Sequence, residues 1–323
     1  MVLKQARQFQ QELSGASSVL IGTHLNPDGD ALGSALAMSH YLSDQGIRNE
    51  VLCHHVPPYN LEFLPGVSRI RQAPTGKDFE LAIVLDLDSL ERLGSAEQYF
   101  TNVPRMVVID HHVPHEAPGD LRIVDTDSPA TALILSRLLF EMEGDVTPDI
   151  ATCLLTGIVT DTGSFRFRNT TPEALSVSAR LLELGGNINL VSEEIYQRKP
   201  LASVRLLGFL LERMQLECDG RICYGMLTFE DFQTTNAQDE DTEGFVNELL
   251  SINTVQISAL FSESKRGRVR VSLRSRSDYD VAAVAREVGG GGHRNAAGCS
   301  FEAGLEEARE ILIPRLRDCL ESC

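Results

Sequence analysis

Six widely spaced side chains carry the most legible chemistry in this chain: His24, Asp28, Asp30, Asp86, His111 and Asp161. Four carboxylates and two imidazoles suit two divalent ions about 3.5–4 Å apart, one carboxylate bridging them, with positions open for water and substrate. The spacing assigns His24 and Asp28 to one ion, Asp30, His111 and Asp161 to the other, and Asp86 to the bridge. Hard oxygen donors mixed with imidazole favour manganese, because magnesium rarely recruits histidine; magnesium, cobalt or zinc are the substitutes. A water shared by two such cations loses its proton near neutral pH and becomes a nucleophile, while the same charge neutralises a reacting phosphate. The implied reaction is hydrolysis of a phosphate ester. His112 is expected to miss the ion held by His111, since successive side chains leaving an extended segment diverge. It is assigned instead to the substrate phosphate or to general-acid work, with Asp110 orienting an imidazole from behind.

The elements that would position these residues follow from periodicity. Residues 18–23 read as a buried strand running into His24-Leu25-Asn26-Pro27-Asp28-Gly29-Asp30, where Pro and Gly break the pattern. A helix is predicted over 31–45, with Gly46 as its stop. Apolar runs at 49–53, 81–85, 105–109 and 121–124 alternate with polar or helical stretches, as in a parallel sheet covered by helices. His24, Asp86 and Asp110 each directly follow such a strand, so a parallel arrangement gathers them along one sheet edge. Singly, Asp86 or Asp161 would pass for a helix cap and Asp28-Gly29-Asp30 for a turn; recurrence at strand ends carries the reading. Ser128-Pro129, Thr147-Pro148 and Thr171-Pro172 each place a capping hydroxyl before a proline and predict three helix starts. Residues 157–165 are a helix end opening into a polar loop that directs Asp161 to the same region. His40, His54, His55 and His115 lack such placement and read as surface or packing residues.

With 323 residues and 42% hydrophobic composition, the chain is long enough for two domains. The expected division is 1–186, a helical connector of mixed charge at 187–214, and 215–323, where the period becomes that of strands. Asp219-Gly220 and Arg266-Gly267 each separate two strand-like runs and predict hairpins. Helices are expected over 280–288 and 305–320, and Asp239-Glu240-Asp241 as a solvated loop. Four consecutive glycines, Gly289 to Gly292, precede His293 and Arg294; they cost backbone entropy but let N–H groups approach an anion. Lys265, Arg266, Arg268, Arg270, Arg274 and Arg276 form a basic ribbon nearby, which strand alternation would send largely to one face, barring a bulge.

A formal net charge of −17 excludes a protein that coats long nucleic acid, which needs a broad basic surface, but leaves room for a short anionic substrate. Seven scattered cysteines, Cys323 among them, form no CxxC pair and read as reduced thiols. No run is apolar enough to span a membrane and the start is too polar for a signal peptide, so a cytoplasmic protein is expected.

Together these residues resemble the DHH phosphoesterase family, named for the triplet present here as Asp110-His111-His112. Its other motifs are similar to 24–30, to Asp86 within Val84-Leu85-Asp86-Leu87-Asp88-Ser89, and to Gly157-Ile158-Val159-Thr160-Asp161. Gly290-Gly291-Gly292-His293-Arg294-Asn295-Ala296-Ala297-Gly298 resembles the signature of the associated DHHA1 domain. The resemblance implies an α/β chain: an N-terminal parallel-sheet DHH domain with flanking helices, a smaller mixed-sheet DHHA1 domain, and an active site in the cleft between them. It implies the same six metal ligands, manganese, and nucleotide binding by Gly291, Gly292, His293 and Arg274. Length and layout look most like the nanoRNase and pAp phosphatase subgroup. Implied substrates are therefore short oligoribonucleotides and 3′-phosphoadenosine 5′-phosphate (pAp), and a homodimer is the family expectation. A phosphodiesterase for cyclic di-AMP or pApA is the nearest alternative; a polyphosphate or pyrophosphate hydrolase and a non-catalytic nucleotide sensor stand further off.

Overall fold

Six parallel strands, β1 (Ser18–Gly22), β2 (Arg48–Leu52), β3 (Ile70–Arg71), β4 (Leu81–Leu85), β5 (Met106–Asp110) and β6 (Leu121–Val124), form one sheet in the order β3-β2-β1-β4-β5-β6. The computed structural model describes residues 2–113 and 118–321, so His115 and Cys323 lie outside the description. Along β1, β4 and β5 every residue is buried. Alternate side chains enter separate cores, Val19 and Ile21 on one face and Leu20 on the other. A sheet covered on both faces explains why these strands read as unbroken apolar runs.

Helices α1 (Val2–Ser14), α2 (Gly29–Asp44), α3 (Glu97–Phe100), α4 (Thr131–Glu141), α5 (Pro148–Asp161), α6 (Pro172–Glu183) and α7 (Ile188–Ser192) complete this unit. The larger core lies among α1, α2, α4, α5 and α6, whereas α3 gives Phe100 to the smaller one. Strand order reverses between β1 and β4. At such a switch point the connections leaving neighbouring strand ends part to opposite faces and open a crevice.

α2 and α5 approach closely because glycines stand at their crossing. A Cβ on Gly33 would lie 2.4 Å from Cys153 O, and one on Gly157 2.5 Å from an Asp30 oxygen. That approach brings the start of α2, with its aspartates, beside the end of α5, with Asp161. Three local readings need adjustment. Asp110 is the last residue of β5, not the residue after it, an offset of the size strand boundaries ordinarily show. The two-residue β3 has too little apolar sequence to be read. α5 and α6 start on Thr147 and Thr171 as predicted, but α4 begins at Thr131 after Ala130, with no cap from its own chain neighbourhood; Ser128 Oγ donates to Ala130 O instead.

The chain divides into two units, Met1–Arg198 and Lys199–Cys323. The second contains α8 (Leu201–Arg213), β7 (Gln215–Glu217), β8 (Ile222–Leu227), α9 (Phe229–Thr235), α10 (Phe245–Leu250), β9 (Ile257–Lys265), β10 (Arg268–Ser275), α11 (Val281–Glu287), β11 (Gly291–His293), β12 (Ala296–Phe301) and α12 (Leu305–Glu321). The helical stretch 187–214 is thus shared out, α7 lying in the first unit and α8 in the second. The sheet runs β11-β12-β10-β9-β8-β7 and is mixed, β8 and β9 being parallel and the other pairs antiparallel. α11 and α12 cover one face; α8, α9 and α10 pack over β8 and β9 on the other.

The glycine stretch is an edge strand rather than a loop: β11 pairs with β12 through Gly291↔Gly298, Gly292↔Ala297 and His293↔Ala296. Two of its glycines are demanded by that pairing. A Cβ on Gly290 would sit 2.2 Å from Gly298 O, and Gly292, at φ +134°, would place one 2.5 Å from Ala296 O. Residues 239–241 are a helical turn in which Asp241 is buried and its carboxylate accepts from Gln238 N, so the solvated-loop reading fails for that residue. No helix among the described residues is long and apolar enough to cross a membrane.

Candidate metal centre

Asp86 stands directly after β4 with φ +60°, a left-handed conformation that aspartate tolerates better than most residues. Its N–H is tied to Ile109 O at 3.0 Å, which couples the residue to the end of β5. Its two oxygens face different imidazoles: Oδ2 lies 3.3 Å from His24 Nε2 and Oδ1 3.5 Å from His111 Nε2. Thr131 Oγ1 donates to Oδ1 at 3.0 Å.

Both histidines are aimed by backbone carbonyls. The Nδ1–H of His24 donates to Leu25 O (2.8 Å) and that of His111 to Ser128 O (3.2 Å). Since a carbonyl only accepts, each Nδ1 carries a proton, which leaves Nε2, the atom that faces the carboxylates, as the position a metal would take. Asp28 caps α2, accepting from Asp30 N and Ala31 N, while the same Oδ1 lies 3.9 Å from His24 Nε2. Cap and candidate ligand are therefore compatible roles. Asp30, fully buried on α2, caps a different helix: it accepts from Thr131 N (2.6 Å) and Ala132 N (2.8 Å) at the start of α4. That is the cap α4 lacks locally; Oδ1 also accepts from Ser34 Oγ at 3.4 Å, and Oδ2 keeps a second lone pair. Asp161, the last residue of α5, lies 3.4 Å from His111 Nε2, with Asp30 at 4.0 Å from the same atom.

The donor atoms fall into three groups that could hold metal: His24, Asp28 and Asp86; Asp30, His111 and Asp161; and Asp86, His111 and His112. Electrostatics shows what such a set requires. Burial, then repulsion from Asp86 and Asp28, pushes the Asp30 carboxyl well above its usual range. Asp161 is pushed up likewise, by burial and by Asp30, Asp28 and Asp86. For Asp86 burial also favours the neutral acid, but the His24 bond and the surrounding imidazoles outweigh it and hold the group well below the carboxylate range. Carboxylates crowded this closely repel one another unless cations stand among them. The chemistry of the donors, oxygen with imidazole nitrogen, fits divalent transition ions.

The expected divergence of His111 and His112 does not occur. β5 ends at Asp110, the chain bends at His112, and the two rings meet edge-on with centroids 4.4 Å apart. His112 Nδ1 lies 3.6 Å from Asp86 Oδ1, but its bond is to Asp110 Oδ1 at 2.8 Å, and Asp110 also accepts His112 N. Burial disfavours charge on His112, yet Asp110 and Asp86 prevail and raise its pKa. His40 bonds to Pro65 O, His54 to Ser95 and His55 to Asn26 N, contacts that hold loops.

In the second unit β10, β12 and β11 align Arg274, Ala296 and His293 in one cross-strand row, so all three belong to the same face. A Cβ on Gly291 would meet open space. Arg274 is half-buried; burial disfavours its charge and Glu243 partly offsets this. The rest of the ribbon is mostly paired with exposed acids, Arg266 to Glu230 (2.6 Å), Arg268 to Glu302 (3.6 Å) and Arg270 to Asp239 (4.0 Å). Arg276 lies beyond β10 and donates to Leu250 O.

Sequence reading gave Thr131 and Leu25 no role in the site and took Ser128 only as a helix cap. The only signal was a threonine opening an apolar helical run at 131; backbone carbonyls leave none.

Fold and site together define a two-unit α/β chain with an acid–imidazole centre at the switch point of a doubly wound sheet. The profile of the DHH family, N-terminal domain, matches residues 18–158, and that of the DHHA1 domain matches 220–322. The chain is 32% identical over 308 residues to the bifunctional oligoribonuclease and PAP phosphatase NrnA of Thermus thermophilus, covering 93% of this chain and 89% of that one. It is 27% identical to the NrnA of Bacillus subtilis over 310 residues, 94% of this chain and 95% of that one. A crystal structure of an exopolyphosphatase-related protein from Bacteroides fragilis superposes with TM-score 0.91 at 27% identity, over 98% of this chain and 96% of that one. The chain belongs to the DHH phosphoesterase family and carries its DHHA1 domain.

Proposed function

We propose that this chain hydrolyses short oligoribonucleotides to mononucleotides and pAp to AMP, using two divalent ions with manganese preferred. The observation that carries the reading is the split of Asp86 between two imidazoles, one oxygen toward His24 Nε2 and the other toward His111 Nε2. That arrangement suits a carboxylate bridging two cations. His24 and Asp28 would complete one position, Asp30, His111 and Asp161 the other. When bound, the ions supply Lewis acidity toward a water and toward the phosphate.

The chain's own groups divide the remaining work. His112, its Nδ1 held by Asp110, has a raised pKa that suits protonation of the leaving oxygen. Thr131, Ser128 O and Leu25 O orient the ligands. His293, Arg274 and the open backbone at Gly291 and Gly292 are proposed to bind the nucleotide. Substrate choice rests on the NrnA relatives, whose names state oligoribonuclease and PAP phosphatase activity. Six free cysteines among the described residues support a cytoplasmic setting. A homodimer is expected, which light scattering checks.

The test is hydrolysis with manganese of a 5′-phosphorylated RNA dinucleotide, pAp, cyclic di-AMP and pyrophosphate in parallel. Preference for the first two is expected. Preference for cyclic di-AMP or pyrophosphate overturns the substrate assignment, and inactivity on all four overturns hydrolysis itself.

A further inference from the structure

β3 pairs with β2 only at Val51 and Leu52, leaving the edge of β2 from Arg48 to Glu50 uncovered by any strand. A cavity of about 300 Å³ opens there, lined by Ser39, Arg48, Asn49, Glu50, Arg69, Arg71 and Thr75, with Val51 at its floor. None of these residues belongs to the acid–imidazole centre, which lies past the C-terminal ends of β1 and β4. The volume is at the small end of pockets that hold small molecules, about 300–1,000 Å³.

Its charge is unusual for this chain. With 46 acidic residues against 29 basic ones, many arginines elsewhere meet carboxylates: Arg92 meets Asp88, Arg105 Glu12, Arg137 Asp125, Arg213 Asp231 and Arg317 Glu217. Among the described residues no carboxylate oxygen comes within 4.0 Å of Arg48, Arg69 or Arg71. Glu50, the single acid in the wall, is committed elsewhere: its oxygens accept Thr75 N (2.7 Å), Thr75 Oγ1 (2.9 Å) and Gly76 N (2.7 Å). Burial opposes its charge, but those bonds and Arg71 lower its pKa, so it stays ionised and still leaves a net positive cavity.

All three arginines are exposed, and two of the guanidiniums are held by bonds. Arg69 donates to Ser39 and Ser43 Oγ at 3.4 and 3.3 Å, long bonds that a better acceptor would replace. Arg48 donates to Lys77 O and its guanidinium lies 5.0 Å from the Phe79 ring centroid. Ser39 Oγ donates to Asn49 Oδ1 (2.7 Å), the Asn49 amide to Ser43 Oγ and Ile47 O, and Thr75 Oγ1 to Glu50, so the guanidiniums are the wall's donors toward an anion. Guanidinium forks lining one cavity offer the paired donors by which proteins recognise phosphate. We propose that this cavity is a second anion site, taking a phosphate dianion either free or carried on a small organic molecule. The proposal does not depend on the hydrolytic reading.

The experiment titrates the full chain, stripped of metal with a chelator, with inorganic phosphate at constant ionic strength, read by calorimetry and thermal melting. The wild type should bind and melt higher in phosphate than in matched chloride. Arg69→Gln/Arg71→Gln should weaken phosphate binding at least tenfold, and Arg69→Lys/Arg71→Lys should recover part of it. Both pairs should keep the wild-type circular dichroism and manganese-dependent hydrolysis, which separates the cavity from the metal centre and from misfolding. A parallel titration with AMP distinguishes the sources: if its binding falls with that of phosphate, the site takes a phosphate carried on a small molecule; if only phosphate binding falls, it takes the free ion. No binding to the wild type, or binding unchanged in Arg69→Gln/Arg71→Gln, overturns the proposal.

Discussion

In the first unit four carboxylates and three imidazoles stand at the reversal point of a parallel sheet; His24, Asp30, Asp86 and His111 are buried, Asp161 and His112 half-buried and Asp28 exposed. In the second, arginines stand along one ribbon of an antiparallel hairpin, and three of them meet exposed acids. The first arrangement is held by partners on other elements, since Asp30 caps α4, Thr131 supports Asp86, and Ser128 and Leu25 aim imidazoles. The second has water as its main competitor. Burial without pairing is costly, so a constellation like the first persists only where something repays it. Exposed ion pairs contribute roughly 0–1 kcal/mol and mark no function by themselves. Chemistry is therefore sought where charge is buried, and the proposed substrate contacts are Arg274, half-buried, and His293 in the same cross-strand row.

Four substitutions break or sharpen that contrast. Asp86→Ala removes the group facing both imidazoles; turnover with manganese should fall by on the order of 10³-fold, with the fold intact by circular dichroism. Near-normal turnover would refute the two-ion assignment. Thr131→Val keeps shape but deletes the hydroxyl on Asp86, and a loss of about 10–100-fold in metal affinity or activity is expected, measured by metal titration of activity. An unchanged titration would reduce Thr131 to a packing residue. His293→Ala should raise KM for a dinucleotide about tenfold, the size of one lost charge-assisted hydrogen bond, while kcat changes little. A fall in kcat at constant KM would move His293 into the chemistry. Arg268→Gln should leave activity unchanged and shift stability by no more than about 0.5 kcal/mol, read from a denaturant midpoint; a large effect would show that the ribbon is more than solvated charge.

Sequence reading picked out the candidate ligand types and the elements bearing them because both are local. β1, β4 and β5 are covered on both faces and leave apolar runs, and Asp28, Thr147 and Thr171 cap helices that begin within three residues of them. It failed where a partner lies far along the chain. The start of α4 was misread because its cap, Asp30, is about a hundred residues away in sequence. His111 and His112 were expected to diverge because an extended strand was assumed to continue, whereas the chain bends. The glycine run was read as a loop, although pairing with β12 makes it an edge strand with no room for a Cβ at Gly290 and Gly292.

By itself the sequence determined which side chains could hold cations and in which order the strands and helices deliver them, since periodicity, caps and residue chemistry act over a few neighbours. Only the tertiary structure decided that Asp86 divides its oxygens between His24 and His111, that Asp30 closes a helix it does not belong to, and that three arginines at the β2 edge lack carboxylates. Each depends on strand order and on the close crossing of α2 with α5, which bring together groups that no local rule connects.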